Sequence, residues 1–500
     1  MNVVVPFVDL AVEDGNTDSM RATIQQALVS ARIGQRDWAA RRLPQRLKII
    51  RRARFLIAEE AASLAEAAND LRQRPLAEIL TAEVLPLVEA CRFLEREGKR
   101  ILRPRKAGSR GRPLWLGGLQ SEIRREPHGV VLVIGPGNYP LFLPAVHAIQ
   151  AICAGNAVLI KPGDGGSRAA QTVVEILHRA GMPRDLVYIL PEVPIAAESA
   201  IALGVDKVIF TGSASTGETV LAMCAKALTP ATVELSGCDA VFVRADADLD
   251  LVVRALCFGL RLNKGATCIA PRRVFVHRDL APELEARLRS AALERSPIVN
   301  PLLTRCVIDA LVAGADLVRG SIPSDGRALS VPIILSGVAP SMQIVREDIF
   351  APVLSLISVA DDTEALAFSS QCPYSLGATI FSRDEVASQA LAAQIHAGVV
   401  IINDLIVPTA DPRLPFGGRK RSGFGSTRGA EGLLELTIPK VVSIRRGKSR
   451  RHFDEPQLGD SEMFAAYIRA AHGRGWGNRL AALVKIARSL RRRQARPDRI

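Results

Sequence analysis

The 500-residue chain has eight cysteines, at 91, 153, 224, 238, 257, 268, 306 and 372, yet no Cys-x-x-Cys pair. Scattered thiols without paired spacing exclude a zinc ribbon and a thioredoxin-like centre, predict no metal site, and read as reduced cysteines of a cytoplasmic protein. Met1–Ser19 lacks a basic n-region and a cleavage site, which speaks against a secretory signal. There is no internal repeat and no low-complexity segment. At 48% hydrophobic and 23% charged, the composition excludes a disordered chain, because enough apolar surface is available to offset ordering entropy.

Charge itself is absent from one long stretch. Between Glu126 and Lys161 no Asp, Glu, Lys or Arg occurs, longer than the roughly 18–20 residues of a membrane span. Gly135-Pro136-Gly137-Asn138-Tyr139-Pro140 and Pro144 break it into pieces too short to span. The pieces read as a buried strand at 130–134, a helix over 143–153 and a second buried strand at 157–160, the pattern of a parallel sheet covered on both faces.

The alternation continues with helices near 168–180 and 196–203 and strands at 186–190 and 207–210. The last strand leads into Thr211-Gly212-Ser213-Ala214-Ser215-Thr216-Gly217 and a helix to about residue 227. Strand, small-residue turn and helix present backbone N–H groups to a pyrophosphate, though such turns also serve tight packing. Residues 17–97 are helical by period, with Leu47, Phe55, Leu64, Leu85 and Leu87 among their apolar positions. A second α/β stretch covers about 232–416, with helices at 249–260 and 363–368 and a strand at 398–403.

Seven motifs follow in order: Gly135-Pro136-Gly137-Asn138-Tyr139-Pro140, Lys161-Pro162, Phe210-Thr211-Gly212-Ser213, Val233-Glu234-Leu235-Ser236-Gly237, Asn263 through Pro271 around Cys268, Glu347-Asp348-Ile349-Phe350, and Pro415-Phe416-Gly417-Gly418. In that order and spacing the chain resembles the aldehyde dehydrogenase superfamily from about residue 20 to 445. The resemblance implies an α/β fold with a Rossmann-type cofactor domain (1–108 and 128–233), a catalytic domain (234–435) and a small β oligomerisation extension (109–127 and 436–446), followed by a basic tail at 447–500.

It also implies site residues, which fit what aldehyde oxidation demands. A carbonyl carbon releases hydride once a nucleophile has made it tetrahedral, and Cys268 matches the family nucleophile. Asn138 matches the oxyanion donor, and Glu234 the carboxylate that activates water against the thioester. Lys161 and Asp164 match the ribose-holding positions, Gly212, Ser213 and Gly217 belong to the dinucleotide turn, and Asp348 and Phe350 fall at the nicotinamide half. A carboxylate at Asp164 repels a 2′-phosphate, so NAD is expected over NADP. The implied partners are a small-molecule aldehyde and further copies of the chain in a homodimer or homotetramer. Two alternatives keep the fold: a coenzyme A-linked acylating or reductive enzyme, which Glu234 argues against, and a catalytically impaired scaffold.

The sequence departs from the family pattern at Gly137, Ser236, Ala266, Asp348 and Ala351, and is short around 295–331. These departures indicate a divergent subfamily with its own substrate. The net charge of +14 is also uneven. Residues 445–500 carry 15 basic and 5 acidic side chains, and residues 96–125 carry 10 and 2, so the catalytic body is mildly acidic and nucleic acid is not an expected partner. Trp476, Leu480, Leu483, Val484, Ala487 and Leu490 recur at helical spacing among Arg and Lys, a basic amphipathic helix for a peripheral membrane surface or for packing on protein.

Overall fold

The computed structural model describes residues 17–69, 73–322, 328–447 and 450–494. Residues 1–16 of the segment read for an export signal, and 323–327 of the shortened segment, lie outside them. The chain divides into two compact units. One runs to Arg105 and resumes over Glu122–Val442, and the other joins Lys106–Ser121 to the chain from Ser443 onward. A three-stranded sheet has the order Arg105–Lys106, Leu119–Pro127, Thr437–Arg445.

Among the described residues of the larger unit, four α-helices of seven residues or more precede the first sheet: α1 (Thr17–Ala40), α2 (Leu43–Glu59), α3 (Ala61–Ala67) and α4 (Leu85–Leu102). They bury Ile24, Trp38, Ile50, Leu64 and Leu87 in the same core as the sheet. Trp38 donates its indole N–H to the Ile152 carbonyl at 2.8 Å. Phe55 and Leu85, two of the apolar positions in the helical pattern, are instead exposed. The Arg54 guanidinium lies 4.5 Å from the Phe55 ring centroid, a cation–π contact that suits an aromatic at the surface.

The uncharged run folds into β1 (Val130–Ile134), α5 (Phe142–Ala154) and β2 (Ala157–Lys161), every residue of all three buried. Gly155, at φ +104°, ends α5 in the left-handed conformation that glycine adopts without penalty. The alternation proceeds through α6 (Ser167–Arg179), β3 (Val187–Ile189), α7 (Pro194–Ala202), β4 (Lys207–Thr211), α8 (Ala214–Ala227) and β5 (Ala231–Glu234). The parallel strands lie in the order β5-β4-β1-β2-β3, extended at the β5 edge by antiparallel Gly423–Phe424. That order reverses direction between β1 and β4, so their carboxyl ends open the crevice in which doubly wound sheets bind ligands.

A linker at 235–238 leads to the second sheet. Its parallel strands β6 (Asp239–Val243), β7 (Pro271–His277), β8 (Leu329–Ser336), β9 (Val353–Val359), β10 (Gly377–Phe381) and β11 (Val399–Ile402) are ordered β8-β9-β7-β6-β10-β11, and the strands Ser296–Ile298 and Asp316–Ser321 pair antiparallel with β8. Alternate residues feed two cores. Phe242 and Phe275 pack on one face. Val241, Val243, Val274 and Val276 pack on the other, in one core with Val252, Leu256 and Leu260 of the helix Leu249–Arg261. Among the described residues, no helix is long and apolar enough to cross a membrane, and no cluster of His, Cys, Asp and Glu could hold a metal ion.

Candidate active site

One cleft of about 830 Å³ runs from the β1/β4 switch point to the linker between the sheets. Its wall includes Asn138, Lys161, Asp164, Gly212, Ser213, Glu234, Cys268, Asp348 and Phe350, so nine of the ten residues singled out in the sequence share one cavity. Gly217 is the one that does not line it. A Cβ there would come within 2.5 Å of the Leu235 side chain, so this glycine serves the close approach of α8 to the linker.

Cys268 and Glu234 meet in this cleft. The half-buried Cys268 Sγ donates to Glu234 Oε1 at 3.4 Å, and the other Glu234 carboxylate oxygen is buried without a hydrogen-bond partner. Glu234 ends β5, which places its side chain at the sheet's carboxyl edge. Burial raises its pKa, offset in part by the Arg428 cation. Burial likewise pushes the Cys268 thiol well above its ordinary value, and the charge of Glu234 pushes it further.

The turn before Cys268 is held open by unusual backbone. Asn263, Lys264 and Gly265 take φ values of +48°, +50° and +72°. For the two non-glycine residues such conformations cost on the order of 1–3 kcal/mol each and persist only when their surroundings fix them. The surroundings are visible: the Asn263 amide donates to the Asn138 carbonyl at 2.8 Å, and the Asn263 backbone N–H donates to Glu78 Oε1 at 3.1 Å.

Asn138 is oriented from both ends of its amide. Its Oδ1 accepts from the Tyr139 N–H at 3.1 Å, and its Nδ2 donates to the Ala266 carbonyl at 3.0 Å. An amide nitrogen carries two hydrogens, so a second donor remains for a developing oxyanion. Tyr139 is fixed in turn by a 2.7 Å hydrogen bond between its hydroxyl and that of Thr267.

Several supporting residues belong to no motif and give no signal in the sequence. Arg74 and Glu83 form a fully buried ion pair. The second Glu83 oxygen accepts from the Leu141 and Phe142 N–H groups at 2.9 and 3.1 Å, anchoring the start of α5 just beyond Asn138. Glu83 sits in a π-helical turn, Leu80–Val84, a geometry frequent at functional sites. Arg428 is buried, has φ +61°, donates to the Thr409 carbonyl and lies 4.5 Å from the Phe416 ring centroid. His147, pushed down to about 3 by burial, is neutral and is no rival base.

At the other end of the cleft the residues fit a dinucleotide. Asp348 has one buried carboxylate oxygen without a partner, the form a ribose hydroxyl would satisfy. Ser236 hydrogen-bonds the Asp348 side chain, and its hydroxyl also accepts from the Ala214 N–H at 3.3 Å. Two departures from the family pattern thus support one another. Gly163 approaches the Pro136 backbone so closely that a Cβ would lie 2.2 Å from its carbonyl carbon. Ser213 caps α8 by accepting from the Thr216 N–H.

The likeness to known proteins extends over most of the chain. The aldehyde dehydrogenase family profile matches residues 2–442. A Mycolicibacterium smegmatis protein, provisionally named a succinate-semialdehyde dehydrogenase for NADP(+), is 30% identical over 85% of this chain and 84% of its own length. The 4,4'-diapolycopene aldehyde oxidase of a Methylomonas species is 30% identical over 86% and 83%. The crystal structure of an NAD-dependent aldehyde dehydrogenase from Sinorhizobium meliloti superposes with a TM-score of 0.79 at 25% identity, covering 87% of this chain and 89% of that one.

Proposed function

The chain belongs to the aldehyde dehydrogenase family and is an oxidoreductase acting on aldehydes; from that premise we propose that it oxidises its aldehyde to the free carboxylic acid, with NAD as hydride acceptor and Cys268 as nucleophile. The observation that carries this reading is the Cys268–Glu234 hydrogen bond beside the pinned Asn138 amide.

Cys268 Sγ gives up its proton to solvent as it bonds to the carbonyl carbon, and the oxyanion is held by the free Asn138 N–H and the Cys268 backbone amide. A nicotinamide cofactor bound in the cleft would supply the acceptor for the hydride of this carbon. A thioester to Cys268 remains. Glu234 then takes a proton from water; the water oxygen bonds to the acyl carbon, the C–S bond breaks and Cys268 leaves as thiolate. Asp348 and Lys161 hold the two riboses. This hydrolytic role of Glu234 favours a free acid over transfer to coenzyme A.

Asp164, exposed on the cleft wall near Lys161, supports NAD over NADP by repelling a 2′-phosphate. The name of the mycobacterial relative favours the opposite choice, so kcat/KM for both cofactors is the test. A ratio favouring NADP overturns this part of the reading. Purified protein supplied with NAD and a panel of aliphatic, aromatic and isoprenoid aldehydes should reduce NAD, and Cys268→Ala should not. Reduction that survives Cys268→Ala would exclude the mechanism. Ile438, Val441 and Ile444, exposed along the strand Thr437–Arg445, support self-association, which light scattering would measure.

A further inference from the structure

The smaller unit ends in two helices that pack on each other, α9 (Asp460–His472) and α10 (Trp476–Gln494). Their residue distribution is inverted relative to an ordinary helical hairpin. The buried apolar positions are small, Ala466 on α9 and Ala482 on α10. The large apolar side chains are outside: Phe464 and Ile468 are 58% and 59% exposed, and Trp476, Leu480 and Leu483 are 83%, 63% and 55% exposed.

Helical geometry puts the two sets on opposite faces. At about 100° per residue, Phe464 and Ile468 lie roughly 160° to either side of Ala466 around α9, and the α10 stripe lies about 100–160° from Ala482. The apolar stripe faces away from the seam between the two helices, and no described residue covers it. Charge narrows the choice of what does. Residues 463–497 contain nine Lys and Arg and no Asp or Glu. A second copy of the same surface would bring like charges together, whereas an anionic lipid surface offers both an apolar interior and the opposite charge.

We infer that this hairpin docks the enzyme on the surface of a bilayer carrying anionic lipids. Trp476 and Leu480 enter the headgroup–acyl boundary while Arg479 and Lys485 meet lipid phosphates. The contact is peripheral, since neither helix is apolar enough to cross.

The test is co-sedimentation of the full chain with phosphatidylcholine vesicles, with and without phosphatidylglycerol, at low and high salt. Binding to the anionic vesicles should be roughly tenfold stronger or more, and should fall with salt. The double substitution Leu480→Asp/Leu483→Asp, at two exposed positions, should abolish it while NAD reduction with a soluble aldehyde is unchanged. On vesicle binding the tryptophan emission should shift to the blue, and Trp476→Phe should remove that shift without removing sedimentation. Equal binding to both vesicle types, or none to either, overturns the inference. So does a mass by light scattering that halves in the double variant, which would make the hairpin a contact between copies. Because aldehyde oxidation is read separately, failure here leaves the catalytic reading standing.

Discussion

The Cys268 thiol donates a hydrogen bond to Glu234 Oε1 across 3.4 Å. The pair therefore holds its proton on sulfur at rest, since burial raises both groups and the Glu234 charge opposes a thiolate beside it. Glu234→Gln should act in two opposite directions. Without the carboxylate charge the thiol ionises more readily, so its alkylation by iodoacetamide at neutral pH should speed up. Without the base the thioester persists, so steady-state turnover should fall by about 10²–10⁴ while a burst of NAD reduction remains. A loss of burst and turnover together would contradict the assignment.

Arg428 is the cation that offsets these charges, and its field reaches Glu234, Cys268 and His147 alike. Arg428→Met should slow Cys268 alkylation roughly tenfold or more, because an opposite charge nearby favours the ionised form. Arg428→Lys should restore part of the rate. An alkylation rate unchanged in Arg428→Met would make the residue purely structural.

The two outcomes depend on residues with very different visibility in sequence. Cys268, Glu234 and Asn138 stand in short contiguous motifs, because each must be flanked by the turn or strand end that aims it. The strands 130–134 and 207–210 are legible for a similar reason, being uninterrupted apolar runs between Gly- and Pro-rich turns. Glu83 gives no such signal. Its partners Leu141 and Phe142 are 58 and 59 residues away, and only the folded π-turn brings them together. Arg428 reads as one more basic residue until burial shows that it has left solvent. Gly217 misleads for the converse reason, since a glycine for packing and a glycine for phosphate look alike in a sequence.

Asp348 carries a pH signature. Burial raises its pKa from 3.8 to about 6, so the folded protein binds more protons than the unfolded chain between those values. Stability therefore falls as pH rises through that window, the reverse of a salt-bridged carboxylate, and the penalty is fully present above about pH 6. Asp348→Asn should raise Tm at pH 8, by at most about 3 kcal/mol of stability, and raise KM for NAD at the same pH. In the native protein KM for NAD should climb as pH drops below about 6. A KM that is flat across that range would remove Asp348 from the cofactor site.

Glu83→Leu leaves the buried Arg74 guanidinium with only its longer 3.8 Å contact to Glu78. Breaking one side of such a pair typically costs about 3–5 kcal/mol, to be read by urea denaturation. The α5 terminus also loses its acceptor, so kcat should fall through the displaced Asn138 amide even in the fraction that stays folded. The paired change Arg74→Met/Glu83→Leu should recover much of the stability but not the rate. Recovery of both would mean that the ion pair has no part in positioning Asn138.

Gly237 gives the sharpest separation of activity from stability. It lies in the linker between the two sheets, and a Cβ built on it would stand 2.2 Å from the Cys268 carbonyl oxygen, a distance no real Cβ adopts. Gly237→Ala must therefore displace either the linker or the backbone at Cys268. Both sheets and their cores lie outside this contact, so the melting temperature should drop only modestly. With Cys268 as the proposed nucleophile, activity does not share that tolerance, because a misplacement of about 1 Å at the reacting atoms can cost about 10² in rate. Gly477→Ala, where a Cβ meets nothing within 4 Å, supplies the control and should leave both properties unchanged. If Gly237→Ala keeps the native kcat/KM, the close contact at Cys268 has no catalytic consequence; a fall of about a hundredfold with a folded protein is the expected result.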